Sequence, residues 1–65
     1  MVIDEKIARR LKYIRVCLDM TRKECAELLE VDILTYRRLE SGGHKASKKI
    51  VGKVMAWISD NYGID

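Results

Sequence analysis

The spacing of hydrophobic residues along the chain predicts helices. In the first segment the spacing is four, three and four, at Ile7, Leu11, Ile14 and Leu18. This spacing places the four side chains on one stripe of an α-helix. Asp4 is a suitable N-cap, so we predict a first helix over residues 5–18. Three basic residues are expected to face away from the stripe: Arg9, Lys12 and Arg15.

A second helix is predicted directly after a short break. Thr21 and Glu24 have the T-x-x-E spacing of a capping box, in which each residue satisfies a free backbone N–H of the other. The helix should therefore run over about residues 22–29. Its inner face would consist of Cys25, Ala26 and Leu29.

Two further helices complete the pattern. Asp32 is the predicted N-cap of a helix over residues 33–41, and Gly42 and Gly43 should end it because glycine readily adopts a left-handed backbone. Ser47 is the predicted N-cap of a fourth helix over about residues 48–61. The inward positions are Val31, Tyr36 and Leu39 for the third helix, and Ile50, Val54 and either Trp57 or Ile58 for the fourth. His44, Lys45 and Ala46 are expected to form a loop.

The charges are unevenly distributed along these segments. The chain has 65 residues, enough for one domain, with a formal net charge of +3 and a pI of about 9.0. Between residues 33 and 53 the only acid is Glu40, whereas the basic residues are Arg37, Arg38, Lys45, Lys48, Lys49 and Lys53. A basic face of this kind is typical of proteins that bind phosphates. The alternative is a solvated surface of mixed charge.

Enzymatic and metal-binding functions find little support in the sequence. Cys17 and Cys25 lack the spacing of a metal or redox motif and are expected to be free thiols, buried or half-buried. His44 is the only histidine, and no Ser/His/Asp set or phosphate-binding glycine loop can be assembled. We therefore predict no catalytic residues, no metal and no cofactor. Neither a signal peptide nor a long apolar run is evident, which predicts a cytoplasmic protein without membrane contact.

Three sequence pieces occur in the order and spacing of a known family. They are I-x-x-R-L-K-x-I-R from Ile7, M-T-x-x-E-x-A-x-L-L from Met20, and V-x-x-x-T-x-x-R-L-E-S-G from Val31. Through them the chain resembles the XRE family, the lambda-repressor-like helix-turn-helix group that includes phage repressors, Cro proteins, restriction controllers and many antitoxins. The resemblance covers more than half of the chain. It implies an all-α, compact domain of four or five helices, with the helix-turn-helix unit at about residues 21–41.

The resemblance also implies a function. The chain would be a transcriptional regulator, a repressor of phage or mobile-element type, that binds a palindromic operator in double-stranded DNA as a homodimer. Its third helix would enter the major groove, where arginine can bond bidentately to guanine and apolar side chains can contact the thymine methyl group. The predicted DNA-binding residues are Arg22, Ile33, Leu34, Thr35, Arg37, Arg38, His44, Lys45 and Lys48.

Structural roles are implied as well. Ala26 would be the small residue where the second and third helices cross. Arg10 and Glu40 would form a partly buried ion pair between the first helix and the end of the third. Two positions depart from the family pattern. Glu30 replaces the usual glycine of the turn, so the turn either takes a left-handed residue or changes. Tyr36 replaces the usual aliphatic residue behind the third helix.

The C-terminal part of the chain leaves two interpretations open. No fifth helix, which builds the dimer in many relatives, is evident after the fourth. The candidate dimer surface is therefore Trp57, Ile58, Tyr62 and Ile64. In the other interpretation, Trp57 completes the core.

A second function is consistent with the same fold. Ile33 and Leu34 are apolar at positions where the family often has polar residues. They would suit a protein-interaction module, such as an antitoxin or antirepressor that binds a protein partner. A structural explanation is that one of the two packs inward and the other is merely exposed.

Overall fold

Four helices make up most of the chain. In the computed structural model, which describes residues 2–42 and 44–63, they are α1 (Glu5–Cys17), α2 (Arg22–Leu28), α3 (Ile33–Ser41) and α4 (Lys48–Asp60). The described part also contains two short strands, β1 (Val2–Ile3) and β2 (His44–Lys45), which pair antiparallel. The prediction of an all-α domain with four helices is confirmed. The prediction that residues 44–46 are all loop is wrong, because a two-residue strand is too short to leave an alternating pattern.

Each helix begins at the residue that the sequence predicts as its cap. The four N-caps are Asp4, Thr21, Asp32 and Ser47. In α2 the capping box is complete. The Thr21 hydroxyl accepts from the Glu24 N–H at 3.0 Å, and the Glu24 carboxylate accepts from the Thr21 N–H at 2.8 Å. These bonds satisfy backbone donors that have no partner inside the helix.

One hydrophobic core joins the four helices and β1. Its side chains without exposed surface are Ile3, Leu11, Ile14, Cys25, Tyr36, Leu39 and Val54. Trp57 and Ile58 are both buried, so α4 uses both of the residues that the sequence offered as alternatives. Leu18 was predicted to belong to the buried stripe of α1 but is 40% exposed, because the helix ends at Cys17 and Leu18 only caps it.

Two left-handed residues set the directions of α2 and α3. Glu30, after α2, has a φ of 59°, and Asp19, after α1, has a φ of 56°. At Glu30 the turn is closed by a bond from the Val31 N–H to the Ala26 carbonyl at 2.9 Å, the helix-ending pattern that usually uses glycine. Glu30 therefore takes the left-handed form of the turn. The second such turn, at Asp19, was not predicted from the sequence.

Gly42 ends α3 where that helix approaches the start of α1. Its φ is 78°, and a Cβ at this position would lie 3.2 Å from the Cα of Glu5. A side chain would thus meet both backbone strain and close contact. Gly43, the second predicted stop residue, lies outside the described residues.

No helix in the described part of the chain has the length and apolar character needed to cross a membrane.

Candidate nucleic-acid interface

Helix α3 has one face in the core and one face in solvent. Tyr36 and Leu39 have no exposed surface and pack against α1 and α2. Leu34 is 62% exposed, and Arg37 and Arg38 are also exposed. The fold therefore presents both arginines outward from a helix that the rest of the domain supports.

Ile33 and Leu34 are both exposed, although unequally. Ile33 retains 37% of its surface and Leu34 retains 62%. Neither packs inward, so the structural explanation that one of them belongs to the core is wrong. Apolar side chains left in water on the same surface as two arginines are suited to a contact with both apolar and charged groups.

A shallow basic groove runs beside the arginine face. It is lined by Lys12 from α1, Arg22 from α2, and Arg37, Glu40 and Ser41 from α3. Three cations from three different helices thus meet around one carboxylate. Lys12 was not among the predicted DNA-binding residues. Its predicted place on the outer side of the first helix, with Arg9, was a signal, but only the packing of α1 beside α3 brings it next to Arg22 and Arg37.

A buried ion pair fixes the position of α3 in this interface. The Arg15 Nε donates to the Glu40 Oε2 at 2.6 Å, and the two side chains are only 10% and 6% exposed. A second Arg15 nitrogen donates to the Met20 carbonyl at 2.9 Å. Arg15 therefore ties the end of α1, the following turn and the end of α3 together.

Arg22 also contacts this carboxylate. Its Nε lies 3.3 Å from the second oxygen of Glu40, and its side chain is 49% exposed. Arg22 was predicted to meet a DNA phosphate. In the structure it has an internal partner and a large exposed surface at the same time.

The predicted partner of Glu40, Arg10, is wrong. Arg15 lies one residue after Ile14 and four after Leu11, so it shares the buried face of α1, where the prediction had it pointing away. Arg10 instead donates to the carbonyl of Tyr62 at 2.6 Å. The ion pair between the first helix and the end of the third exists, but through a different arginine.

The surroundings of Glu40 keep it ionised. Burial alone would raise its pKa, but the Tyr36 hydroxyl and the Arg15 guanidinium outweigh burial, and the pKa is held below its ordinary value. Burial likewise tends to lower the pKa of Arg15, whereas Glu40 raises it, with a net upward shift. Both partners are charged at neutral pH.

A small polar cluster lies behind α3. The Tyr36 hydroxyl is buried beside the Cys25 thiol and the Glu40 carboxylate, without a hydrogen bond of ordinary geometry to a described atom. Burial raises the pKa of Tyr36 well above its ordinary value and also raises the pKa of Cys25, so both stay neutral. Cys25 is a buried free thiol as predicted. Cys17 is also free but exposed, because it lies at the last turn of α1 away from the core.

Thr35 occupies a different place from the arginines. Its hydroxyl donates to the Asp32 carboxylate at 2.5 Å, and its side chain is only half-exposed. It lines a groove towards α4 together with Lys49 and Lys53. The Thr35 hydroxyl is thus already hydrogen-bonded to the N-cap of α3.

The remaining predicted contacts follow α3 in the chain. Lys45 lies on β2 and Lys48 at the first turn of α4, and both are exposed. The β1–β2 pairing aligns His44 with Ile3 and so fixes the backbone of this segment. Lys45 and Lys48 therefore add two exposed cations in the segment that follows the end of α3.

Two of the four residues of the candidate dimer surface belong to the hydrophobic core. Trp57 and Ile58 are buried, whereas Tyr62 is 71% exposed. Ile64 lies outside the described residues. The interpretation that Trp57 completes the core is therefore correct.

Within residues 2–42 and 44–63 there is no group of three or more His, Cys, Asp or Glu side chains that could hold a metal ion. Comparison of the chain with models of protein families, with curated proteins and with solved structures finds no match. What the interface binds must therefore be inferred from its own side chains.

Proposed function

We propose that this chain is a sequence-specific DNA-binding transcriptional regulator with a lambda-repressor-like helix-turn-helix fold. One observation carries the proposal. Helix α3 is supported from behind by Tyr36 and Leu39 and directs Arg37 and Arg38 into solvent beside the basic groove. An α-helix with outward arginines fits the major groove of B-DNA, which is about 12 Å wide.

Base recognition would come from α3. The planar guanidinium groups of Arg37 and Arg38 can each donate two parallel hydrogen bonds to O6 and N7 of a guanine. Leu34 and Ile33, which are exposed on the same helix, can contact thymine methyl groups. The side chains favour a site that contains both G·C and A·T pairs.

Affinity would come from phosphate contacts around this helix. Lys12 and Arg22 in the basic groove, and Lys45 and Lys48 beyond α3, are exposed cations. Such contacts release counterions from DNA, so each one makes binding more sensitive to salt. Arg22 can serve here while Arg15 keeps Glu40 neutralised.

A domain of this size reads only a few base pairs, so we also propose that it acts as a homodimer on a palindromic site. Two copies would place their α3 helices about 34 Å apart, one helical turn of DNA, to reach successive major grooves on one face. From the resemblance to the XRE family, we further propose that it is a repressor of phage or mobile-element type.

The test is selection of binding sites from random duplex DNA, followed by titration of the selected sequence. We expect two related half-sites with centres about one helical turn apart. Replacing Arg37 or Arg38 by alanine should weaken binding by about 1–3 kcal/mol and relax the preference at one base pair. Lys6→Ala is the matched control, because Lys6 is an exposed cation that lines a different groove. Selection without a common sequence, or unchanged titrations for both arginine variants, would refute the proposal.

The exposure of Leu34 favours one other function, a module that uses α3 to bind a protein, as an antitoxin or antirepressor does. Salt distinguishes the two functions. Binding to DNA weakens steeply as salt rises, whereas a contact centred on Leu34 and Ile33 would be nearly insensitive to salt.

A further inference from the structure

A second groove lies between α1 and α4. It has a volume of about 700 Å³, within the range of pockets that bury a substantial ligand. Its surface is mainly apolar, formed by Ile7 and Tyr13 of α1, Met55 of α4 and Tyr62 beyond α4. Tyr13 and Met55 are each more than 40% exposed, so the groove leaves large apolar side chains in water.

The described charged residues that line this groove are all basic. They are Lys6, Arg9 and Arg10. Arg9 also lies 3.5 Å from Glu5, but both side chains are more than 70% exposed, and such a pair exchanges readily with another carboxylate.

Arg10 is held rigidly in the groove. Its guanidinium lies 5.4 Å from the centre of the Tyr13 ring and 5.2 Å from that of Tyr62. It also donates to the Tyr62 carbonyl at 2.6 Å. A cation fixed in this way loses little conformational entropy when a partner binds beside it.

The groove and the candidate DNA interface lie on different flanks of α1. Arg10 and Lys12 are two residues apart, so at about 100° per residue they point about 160° away from each other around the helix. Each lines only one of the two grooves. A partner in the α1–α4 groove would therefore leave α3 and the basic groove accessible.

We propose that the α1–α4 groove docks an acidic amphipathic helix from a protein partner. A third helix can pack along the depression between two others, with its apolar stripe on Tyr13 and Met55. Carboxylates beside that stripe would face Lys6, Arg9 and Arg10. This inference does not depend on the proposed DNA-binding function.

The described helices of this chain lack the complementary face, so the proposal places the docking helix on a protein partner. Helix α2 carries Glu24 and Glu27, but Leu28 is its only exposed large apolar residue, since Cys25 is buried. The remaining described helices present no surface that combines several acids with an apolar stripe. A second copy is thus a poor complement to the groove.

The probe is a fluorescent peptide helix of about 15 residues, close to the shortest length that is stable alone in water. It carries leucine on one stripe and glutamate on both sides, and a second peptide replaces every glutamate by lysine. We expect the full chain to bind the acidic peptide at least tenfold more tightly than the basic one, measured by fluorescence anisotropy. Amide shifts in NMR spectra should concentrate at residues 6–13 and 55–62.

One pair of single variants and one double variant locate the site. Met55→Glu should weaken binding of the acidic peptide at least tenfold, because it adds a negative charge inside the groove. Val16→Glu makes a similar change at an exposed apolar residue of α1 that does not line the groove, and should leave binding unchanged. The double variant Lys6→Glu/Arg9→Glu should reverse the preference to the basic peptide.

Several results would overturn the inference. Equal binding of the two peptides, binding of neither, or equal effects of Met55→Glu and Val16→Glu would each exclude an acidic helix in this groove. Self-association of the chain that Met55→Glu abolishes in the absence of peptide would identify a second copy as the occupant, and would overturn it too.

Discussion

Removing the Arg15–Glu40 ion pair should have a large and measurable effect on the free energy of unfolding. Arg15→Met keeps the length and apolar stem of the side chain but removes the guanidinium. Glu40 is then left 6% exposed with only the half-exposed Arg22 as a cationic partner. Arg15 also loses its bond to the Met20 carbonyl, which holds the turn before α2.

The size of the effect follows from this geometry. Breaking a buried ion pair by removing one partner costs about 3–5 kcal/mol. The remaining contact with Arg22 favours the lower end, so we expect a loss of about 3 kcal/mol in the free energy of unfolding. A domain of this length has a total of about 3–10 kcal/mol. The melting temperature should therefore fall by at least about 12 °C.

The assay is thermal and urea unfolding followed by circular dichroism at the helix band. Arg22→Met and Arg10→Met are the matched controls. Arg22 is half-exposed and lies farther from Glu40, at 3.3 Å, so its contact should be worth at most about 1 kcal/mol. The contacts of Arg10 include two aromatic rings and one carbonyl, and these three alone should contribute about 1–2 kcal/mol. The double variant Arg15→Met/Glu40→Met should be more stable than Arg15→Met, because it leaves no buried charge unpaired.

An Arg22→Met variant that is destabilised as much as Arg15→Met would contradict this prediction. A cost of less than about 1 kcal/mol for Arg15→Met, the value of an exposed pair, would contradict it as well.

Three further predictions concern Glu40, Glu30 and Lys12. The folded pKa of Glu40 lies below its ordinary value of 4.5, so the stability that Glu40 provides is present above pH 4.5 and is lost as the pH falls through the lower, folded pKa. Unfolding measured at decreasing pH should show this loss, and Glu40→Gln should reduce the slope of the free energy of unfolding against pH. Glu30→Gly should raise the free energy of unfolding by up to about 1 kcal/mol, because removing the strain of a left-handed residue at a φ of 59° outweighs the entropic cost of glycine. Urea titration measures this change, and a lower urea midpoint for the variant would contradict it. Lys12→Ala should reduce the slope of log affinity for DNA against log salt by about one without changing the selected sequence, and a change in base preference would argue against a phosphate contact.

Local signals in the sequence predicted the helices well. The four caps depend on residues close together in the chain and are found where expected. At Glu30 the sequence allowed a left-handed residue or a changed turn, and the structure has the left-handed residue. Helix capping and the backbone conformation at a helix end depend on interactions between residues a few positions apart, so a short stretch of sequence is enough to predict them.

Contacts between helices were predicted less well. The choice between Arg10 and Arg15 as the partner of Glu40 depends on how α1 is rotated against α3, and the hydrophobic pattern allows both. Arg15 was placed outside because a basic residue is expected in water, yet the pairing with Glu40 stabilises it inside. Lys12 was missed for the same reason, because its proximity to Arg37 arises only from packing.

The two-residue strands were beyond any local signal. β1 and β2 are separated by forty residues in the sequence. Their pairing depends on Ile3 entering the core and on Gly42 allowing α3 to end against the start of α1.

This pairing has a consequence for the order in which the domain assembles. Val2 is synthesised before its partner, Lys45, and can pair with it only after the three helices between them have been synthesised and docked. Closing so long a segment is entropically expensive before the helices are in place, so the strands should join late in folding. The pairing of β1 with β2 thus completes a domain whose helices have already packed, so a change that weakens the two strands should affect the last step of folding rather than the first.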